Sequence, residues 1–383
     1  MAVPQNATSK TISKGSAIDT LTMEKRKRPI WKSLLFSSIT FLLLLLFILF
    51  LGEVAVRAMV YLKSRHYPVR TTTADPLLGH RTVENFKWDG IVTDASGDTS
   101  RLHYSTDERG FRAFGDLNAM RKKVFFIGDS FTQAIEVSDD QTYFRRLGDS
   151  LNLEVFAYGA RGYGTLQEWM ILKKYLPEIN PDIVVLQFCS NDFINNHFEL
   201  EHNSLYNNNR RRRPYFNAAG EIEYAVPAKI GWDKLNERSL FFQFIFTRLE
   251  RFLNQKAPET AFTEYHLEHE GAQYLPFVAS VARTKEVLRR FRETLPPGTP
   301  LLVFTTHDDA PYFEAISDIC TQLDIPFVGY IPEAIRENGH NTLALDGAHW
   351  NKFGHRIAAD ILACELADLL ESLPDQRAVL SQH

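Results

Sequence analysis

At 383 residues, with 44% hydrophobic and 23% charged side chains, the chain has the composition of a folded protein, which excludes a mostly disordered one. A formal net charge of -4 offers no bulk attraction for nucleic acid, so none is expected as a partner. Cys189, Cys320 and Cys364 are too few and too widely spaced for a disulfide framework or a zinc site, and read as buried thiols.

Residues 1–30, rich in Ser, Thr and small polar residues, are expected to be a disordered tail. Ser33 to Gly52 carries no charge, and twenty helical residues rise roughly 30 Å, the thickness of a bilayer's hydrocarbon core. A transmembrane helix over 31–54 follows. A cleaved signal peptide is the rival reading, but its apolar core should be shorter, and Gly52-Glu53-Val54-Ala55 is a poor cleavage sequence. Lys25, Arg26, Lys27 and Arg28 precede the span and place the N-terminus in the cytoplasm. The expectation is a single-pass protein of the cytoplasmic membrane, in contact with bilayer lipid, with everything after residue 55 periplasmic or at the cell surface.

Residues 55–115 contain the turn signals Asp75-Pro76, Leu78-Gly79, Ser96-Gly97-Asp98 and Arg109-Gly110, and read as a stalk followed by a lead-in of short strands that pack onto the main domain. A regular alternation then begins. Strands are expected at 124–127, 153–158, 182–188, 301–305 and 326–330. Helices are expected at 142–151, 166–175, 275–295, 311–323 and 352–371. Continuously apolar strands alternating with helices imply an α/β fold, a parallel sheet covered on both faces. Ligands of such sheets bind beyond the C-terminal strand ends, so the residues after each strand should carry the chemistry.

The first strand ends in Gly128-Asp129-Ser130, a sharp turn that sets a serine at a helix N-terminus, although an ordinary N-cap has the same look. The second ends in Tyr158-Gly159-Ala160-Arg161-Gly162-Tyr163-Gly164, where glycines would let a backbone N–H approach a substrate oxygen. The third ends in Cys189-Ser190-Asn191-Asp192, with Asn191 as an amide donor or an Asx turn. Asp346-Gly347-Ala348-His349 places a carboxylate three residues before a histidine, where it can fix the ring's tautomer. A nucleophile, a base, an orienting acid and oxyanion donors are the set that acyl transfer needs.

With these four blocks in order, the chain resembles the SGNH/GDSL hydrolase superfamily, in its bacterial membrane-anchored form, over roughly residues 120–370. The resemblance implies a three-layer α/β/α sandwich with a parallel, flavodoxin-like sheet over 116–372, interrupted by an insertion at 193–265 and followed by a tail at 373–383. It implies Ser130 as nucleophile, His349 as base and Asp346 as orienting acid. The oxyanion hole would be formed by the N–H groups of Ser130 and Gly162, with Gly159 as the fallback, and by the Asn191 amide. Neither cofactor nor metal is required. One departure stands out, since Cys189 occupies the position of the family's usual glycine. The implied activity is a serine esterase cleaving an acyl ester on a carbohydrate or lipid. The alternative is an O-acyltransferase of surface-polysaccharide assembly, which would use the same residues, and a third reading is a non-catalytic module of a membrane complex.

Outside the four blocks, Asp129, His307 and Asp308 are candidate substrate contacts. Arg210-Arg211-Arg212-Arg213 reads as a solvated face or as a contact for anionic glycan or lipid headgroups. Ser239–Leu253 is an apolar helix that either completes the core or lies against membrane or acyl chain. His266 and His269 have helical ligand spacing but lack an evident third ligand, and read as an exposed helix start.

Overall fold

The computed structural model describes residues 30–373, apart from 218, 231–234, 236–237 and 339–340. The expected tails at 1–30 and 373–383 therefore lie outside the described residues, except for Ile30 and Leu373. Helix α1 spans Ile30–Ser64, and its apolar part is long enough to cross a membrane, although a signal sequence would pass the same test. The helix outruns the expected boundary at residue 54. Val54 to Leu62 holds no Gly or Pro, and the Glu53–Arg57 pair, 2.7 Å apart at i,i+4, supports the extra turns. The stalk is thus helical at its start. The chain divides after Gly52 into two compact units.

The second unit opens with two hairpins, β1 (Thr72–Asp75) with β2 (Gly79–Thr82) and β3 (Lys87–Thr93) with β4 (Thr99–Ser105). Trp88, Leu102, Tyr104 and Ile135 form a small core beneath the second hairpin. The central sheet is built from β5 (Ala113–Phe114), β6 (Lys123–Gly128), β7 (Glu154–Gly159), β8 (Ile183–Phe188), β11 (Leu301–Thr305) and β12 (Phe327–Val328), in the order β12-β11-β8-β6-β7-β5. All pairings are parallel except that of β5 with β7. Leaving aside the antiparallel edge, this is the doubly wound flavodoxin order, whose switch point lies between β6 and β8.

The layers follow from the two-residue period of the strands. Phe125, Ile127, Val184, Leu186, Leu301 and Val303 face α4 (Thr165–Ile179), α9 (Leu275–Thr294) and α10 (Tyr312–Gln322). Val124, Phe126, Ile183, Val185, Leu302 and Phe304 face α3 (Tyr143–Leu151), α11 (Ile331–Glu337) and α12 (Lys352–Ser372). Both faces are buried, which is why the strands read as unbroken apolar runs. The short helix α2 (Ser130–Gln133) follows β6 directly. The insertion contributes α5 (Asn191–Asn195), α6 (Phe198–Asn203), the hairpin β9 (Arg213–Phe216) and β10 (Ile222–Ala225), α7 (Leu240–Asn254) and α8 (Thr263–His269).

Two expectations for the insertion are corrected. Helix α7 does not complete the core: Ile245, Leu249, Phe252 and Leu253 are exposed, and its buried residue is Glu250. The arginine run is not one solvated face. Arg213 is fully buried and pairs with Glu201 at 2.7 Å, and Arg210 pairs with Glu250. Only Arg211 and Arg212 are exposed. The run starts the β9 strand, whose alternation turns Arg213 and Tyr215 inward onto the same carboxylate.

Candidate active site

Ser130 is the first residue of α2, held by a turn that two side chains define. The Asp129 carboxylate accepts the Phe131 N–H at 3.0 Å. The Gln187 carboxamide oxygen, reaching across from β8, accepts from the N–H groups of Asp129 and Thr132 and from the Thr132 hydroxyl. Asp129 is completely buried, and its second oxygen lies 3.3 Å from Ser130 Oγ. This corrects its reading as a substrate contact: a carboxylate that caps α2 from within has no face toward a ligand.

His349 closes on the serine from 219 positions further along the chain. Its Nε2 lies 2.9 Å from Ser130 Oγ, and its Nδ1 lies 2.6 Å from Asp346 Oδ2. The other Asp346 oxygen accepts the N–H groups of Ala348 and His349, at 3.1 and 3.0 Å, so the three-residue spacing folds the carboxylate back onto its own loop. That loop is tethered from both sides. Leu343 bridges to Trp350, and Asp94, after the β3 strand, bridges to Ala344. With Nδ1–H directed at a carboxylate, Nε2 is left as an acceptor for the serine proton.

Glu136 is a component that sequence reasoning missed. Its carboxylate is buried, 3.9 Å from His349 Nδ1, 3.5 Å from the Arg161 guanidinium, and accepts the Tyr67 hydroxyl at 2.7 Å. It belongs to no motif and is delivered by the loop after α2. Arg112 secures that loop by donating to the carbonyls of Ala134 and Val137 and to Asp139. Burial disfavours the charged form of His349, but the Asp346 hydrogen bond and the Glu136 charge outweigh it and the imidazole pKa is raised. Burial works against Asp346 too, yet the His349 bond and two backbone N–H groups hold its carboxyl well below the usual range.

The two glycines of the second block have different work. Gly159 ends β7 where a Cβ would meet the Asp129 carbonyl at 2.6 Å, so it is a packing glycine. Gly162 has φ +73°, and a Cβ there would lie 2.5 Å from the Asn209 amide. Its turn is held by the lead-in and by the insertion together. Tyr163 donates its hydroxyl proton to His80 O, His80 Nε2 lies 2.9 Å from Arg161 O, and Arg213 donates to Gly162 O. Among the described residues, neither the Ser130 nor the Gly162 backbone N–H has an acceptor. The Asn191 amide donates to Asn195 at 3.0 Å and reaches toward Tyr163 O at 3.5 Å, beside the same turn. Cys189 is absent from the residues with positive φ, so a side chain in place of glycine brings no backbone strain there.

His307 stands in the same cleft. Its ring meets Phe131 edge-on, Phe131 in turn packs on His349, and its Nδ1 lies 2.9 Å from Thr306 Oγ1 and 3.4 Å from Cys189 Sγ. Asp308 is not free for substrate, because Arg336 holds both of its oxygens at 2.6 and 2.5 Å. Outside the cleft, His266 is occupied by Glu270 and Thr260 O, and His269 by Tyr265 O. Among the described residues, the group close enough to share a cation is Glu136, Asp346 and His349, with ligand atoms within 4.8 Å. These atoms already orient the imidazole.

The switch-point serine and the parallel sheet define the fold of SGNH/GDSL hydrolases. The family model described as GDSL-like Lipase/Acylhydrolase family matches residues 126–357. The chain belongs to this family and is an ester-hydrolysing enzyme. Similar solved structures include a lipase/acylhydrolase from Enterococcus faecalis, 13% identical with a TM-score of 0.36, covering 64% of this chain and 95% of that one. The psychrotrophic esterase EstA from Pseudoalteromonas sp. is 8% identical with a TM-score of 0.37, covering 66% and 100%. A family 3 carbohydrate esterase from Clostridium thermocellum is 14% identical with a TM-score of 0.34, covering 66% and 99%. No curated protein matches the chain.

Proposed function

We propose that the chain is a membrane-anchored serine esterase whose relay is Ser130, His349 and Asp346, acting on an acyl ester of a carbohydrate or lipid outside the cytoplasmic membrane. The observation that carries this reading is the His349 ring, with one nitrogen 2.9 Å from the serine hydroxyl and the other 2.6 Å from a carboxylate. His349 takes the Ser130 proton as Oγ attacks the ester carbonyl. The resulting oxyanion is met by the N–H groups of Ser130 and Gly162 and by the Asn191 amide, which gives up a bond to Asn195. The imidazolium, stabilised by Asp346 and Glu136, returns its proton to the leaving alkoxide. A water then repeats the sequence on the acyl-serine and frees the acid. In this reading α1 is the anchor over 31–54, residues 55–115 join it to the catalytic domain at 116–372, and 193–265 is an insertion at the active-site face.

A fluorophosphonate probe tests the assignment. Wild-type protein should be labelled at Ser130. Ser130→Ala should lose labelling and several orders of magnitude in ester hydrolysis while keeping its melting behaviour. Retention of more than about a tenth of the turnover would remove Ser130 as nucleophile, since loss of a nucleophile costs far more than that.

A further inference from the structure

Beside the Gly162 turn lies a cavity of about 600 Å³, within the range of small-ligand sites. Its charged lining is all of one sign: Lys63, Arg70, Arg161, Arg210, Arg211 and Arg212, with no Asp or Glu. Two of the six are neutralised, Arg161 by Glu136 and Arg210 by Glu250. Among the described residues, Lys63, Arg70, Arg211 and Arg212 have no carboxylate partner. Arg211 donates to the Thr72 hydroxyl at 2.8 Å, and Arg212 donates to Pro76 O at 2.9 Å and stacks on Tyr224. Neutral contacts of this kind fix guanidinium groups in place without cancelling their charge.

The cavity meets the reacting centre along a shared wall. Tyr67 and Arg161 line it, and both contact Glu136, which lies 3.9 Å from His349 Nδ1. Asn209 lines it as well, with its amide against Gly162. His80, 1% exposed, forms part of the same wall. Its Nε2–H is committed to Arg161 O, and its Nδ1 has no partner. Burial, together with Arg211 and Arg213, lowers the pKa of that ring and keeps it neutral.

We propose that this cavity binds the anionic group of an acidic, O-acylated glycan, a sugar carboxylate or phosphate, while the ester on the same or the adjoining sugar sits at Ser130. The proposal rests on the esterase reading for the second half of that sentence only. Guanidinium forks match the planar carboxylate and the phosphate alike. A concave site of this volume holds one or two sugar units, where a planar array of lipid headgroups would not enter.

The test is a titration of the full chain in neutral detergent with trigalacturonate, glucose 1-phosphate and uncharged maltotriose, using wild type, Ser130→Ala and the double variant Arg70→Gln/Arg211→Gln. At least one charged probe should bind wild type and Ser130→Ala alike. It should bind more weakly as salt rises and at least about tenfold more weakly to the double variant, the effect of losing two charge-assisted contacts. Whichever charged probe binds identifies carboxylate or phosphate as the source. Hydrolysis of uncharged 4-nitrophenyl acetate should be unchanged in the double variant. If that ester is not hydrolysed by wild type, the esterase reading fails while the titration still decides the cavity. Equal binding of charged and neutral probes, undiminished binding to the double variant, or binding only to vesicles containing phosphatidylglycerol would overturn the proposal.

Discussion

In the proposed relay His349 acts as a base only while Nε2 is unprotonated, so its surroundings would set the acid limb of activity. Asp346 and Glu136 both favour the imidazolium, whereas burial and Arg161 oppose it, and the balance is upward. The ring therefore stays protonated to higher pH than an ordinary histidine, near 6.5. The acid limb of kcat/KM should lie above that value. Glu136→Gln keeps an oxygen for the Tyr67 hydroxyl but removes a negative charge, which destabilises the imidazolium and lowers its pKa. The limb should move to lower pH in that variant, as a pH–rate profile would show, and movement to higher pH would contradict the role given to Glu136. Asp346→Asn should be milder than His349→Ala, because in the proposed relay Asp346 orients and stabilises the ring while His349 transfers the proton. Single-turnover acylation rates compare the two, and a slower Asp346 variant would reverse the roles. That Ser130, Asp346 and His349 would come together was legible in the sequence because each sits in a short block that a strand end or a tight loop presents. Glu136 was not, because its relation to His349 exists only after the loop beyond α2 is folded and pinned by Arg112.

At the scale of elements, the Gly162 turn depends on segments far from it in sequence. Arg213, at the start of β9, is fully buried and donates to Glu201, Asn195 O and Gly162 O. Glu201, on α6, also accepts from Tyr215 and from the Asn209 N–H. Breaking a buried pair of this kind leaves an uncompensated charge and costs about 3–5 kcal/mol. Arg213→Met should therefore lower the denaturant midpoint sharply. Arg213→Met/Glu201→Met should recover part of the loss, since neither charge is then left alone. If the double variant is less stable than the single one by chemical denaturation, the pair is not the main contribution of Arg213 to the fold. The five parallel strands and most of the helices packed on them were readable from apolar runs and helical spacing, to within a few residues, but the antiparallel edge strand β5 and helix α11 were not. The roles of the insertion were not. A run of four arginines looks uniform as text, but the buried strand β9 begins at Arg213, so Arg213 is interior, paired with Glu201, while Arg212 before it is exposed. The apolar character of α7 misled in the other direction, because a hydrophobic stripe says that a helix has a face to cover and not what covers it. The lead-in was expected to pack short strands onto the main domain, but not to carry, on β2, the His80 carbonyl and ring that hold Tyr163 and Arg161.

For the whole molecule, the side of the membrane on which the catalytic unit works decides which substrates it meets. The basic residues Lys25–Arg28 immediately before the apolar stretch favour a cytoplasmic N-terminus. Beyond Ser64, no described helix is both long and apolar enough to return the chain across a bilayer. A protease added to intact spheroplasts should therefore digest the region after residue 55 and spare a tag at residue 1. Loss of the tag from the membrane fraction, with a shortened chain released, would identify the helix as a cleaved signal sequence. The reverse protection pattern would place the enzyme in the cytoplasm. Acidic surface glycans would then be out of reach, and the cationic cavity would have to be matched to anionic sugars on the cytoplasmic side. The protection experiment and the probe titration are thus linked: one fixes the compartment, and the other fixes the charge of the ligand that compartment must supply.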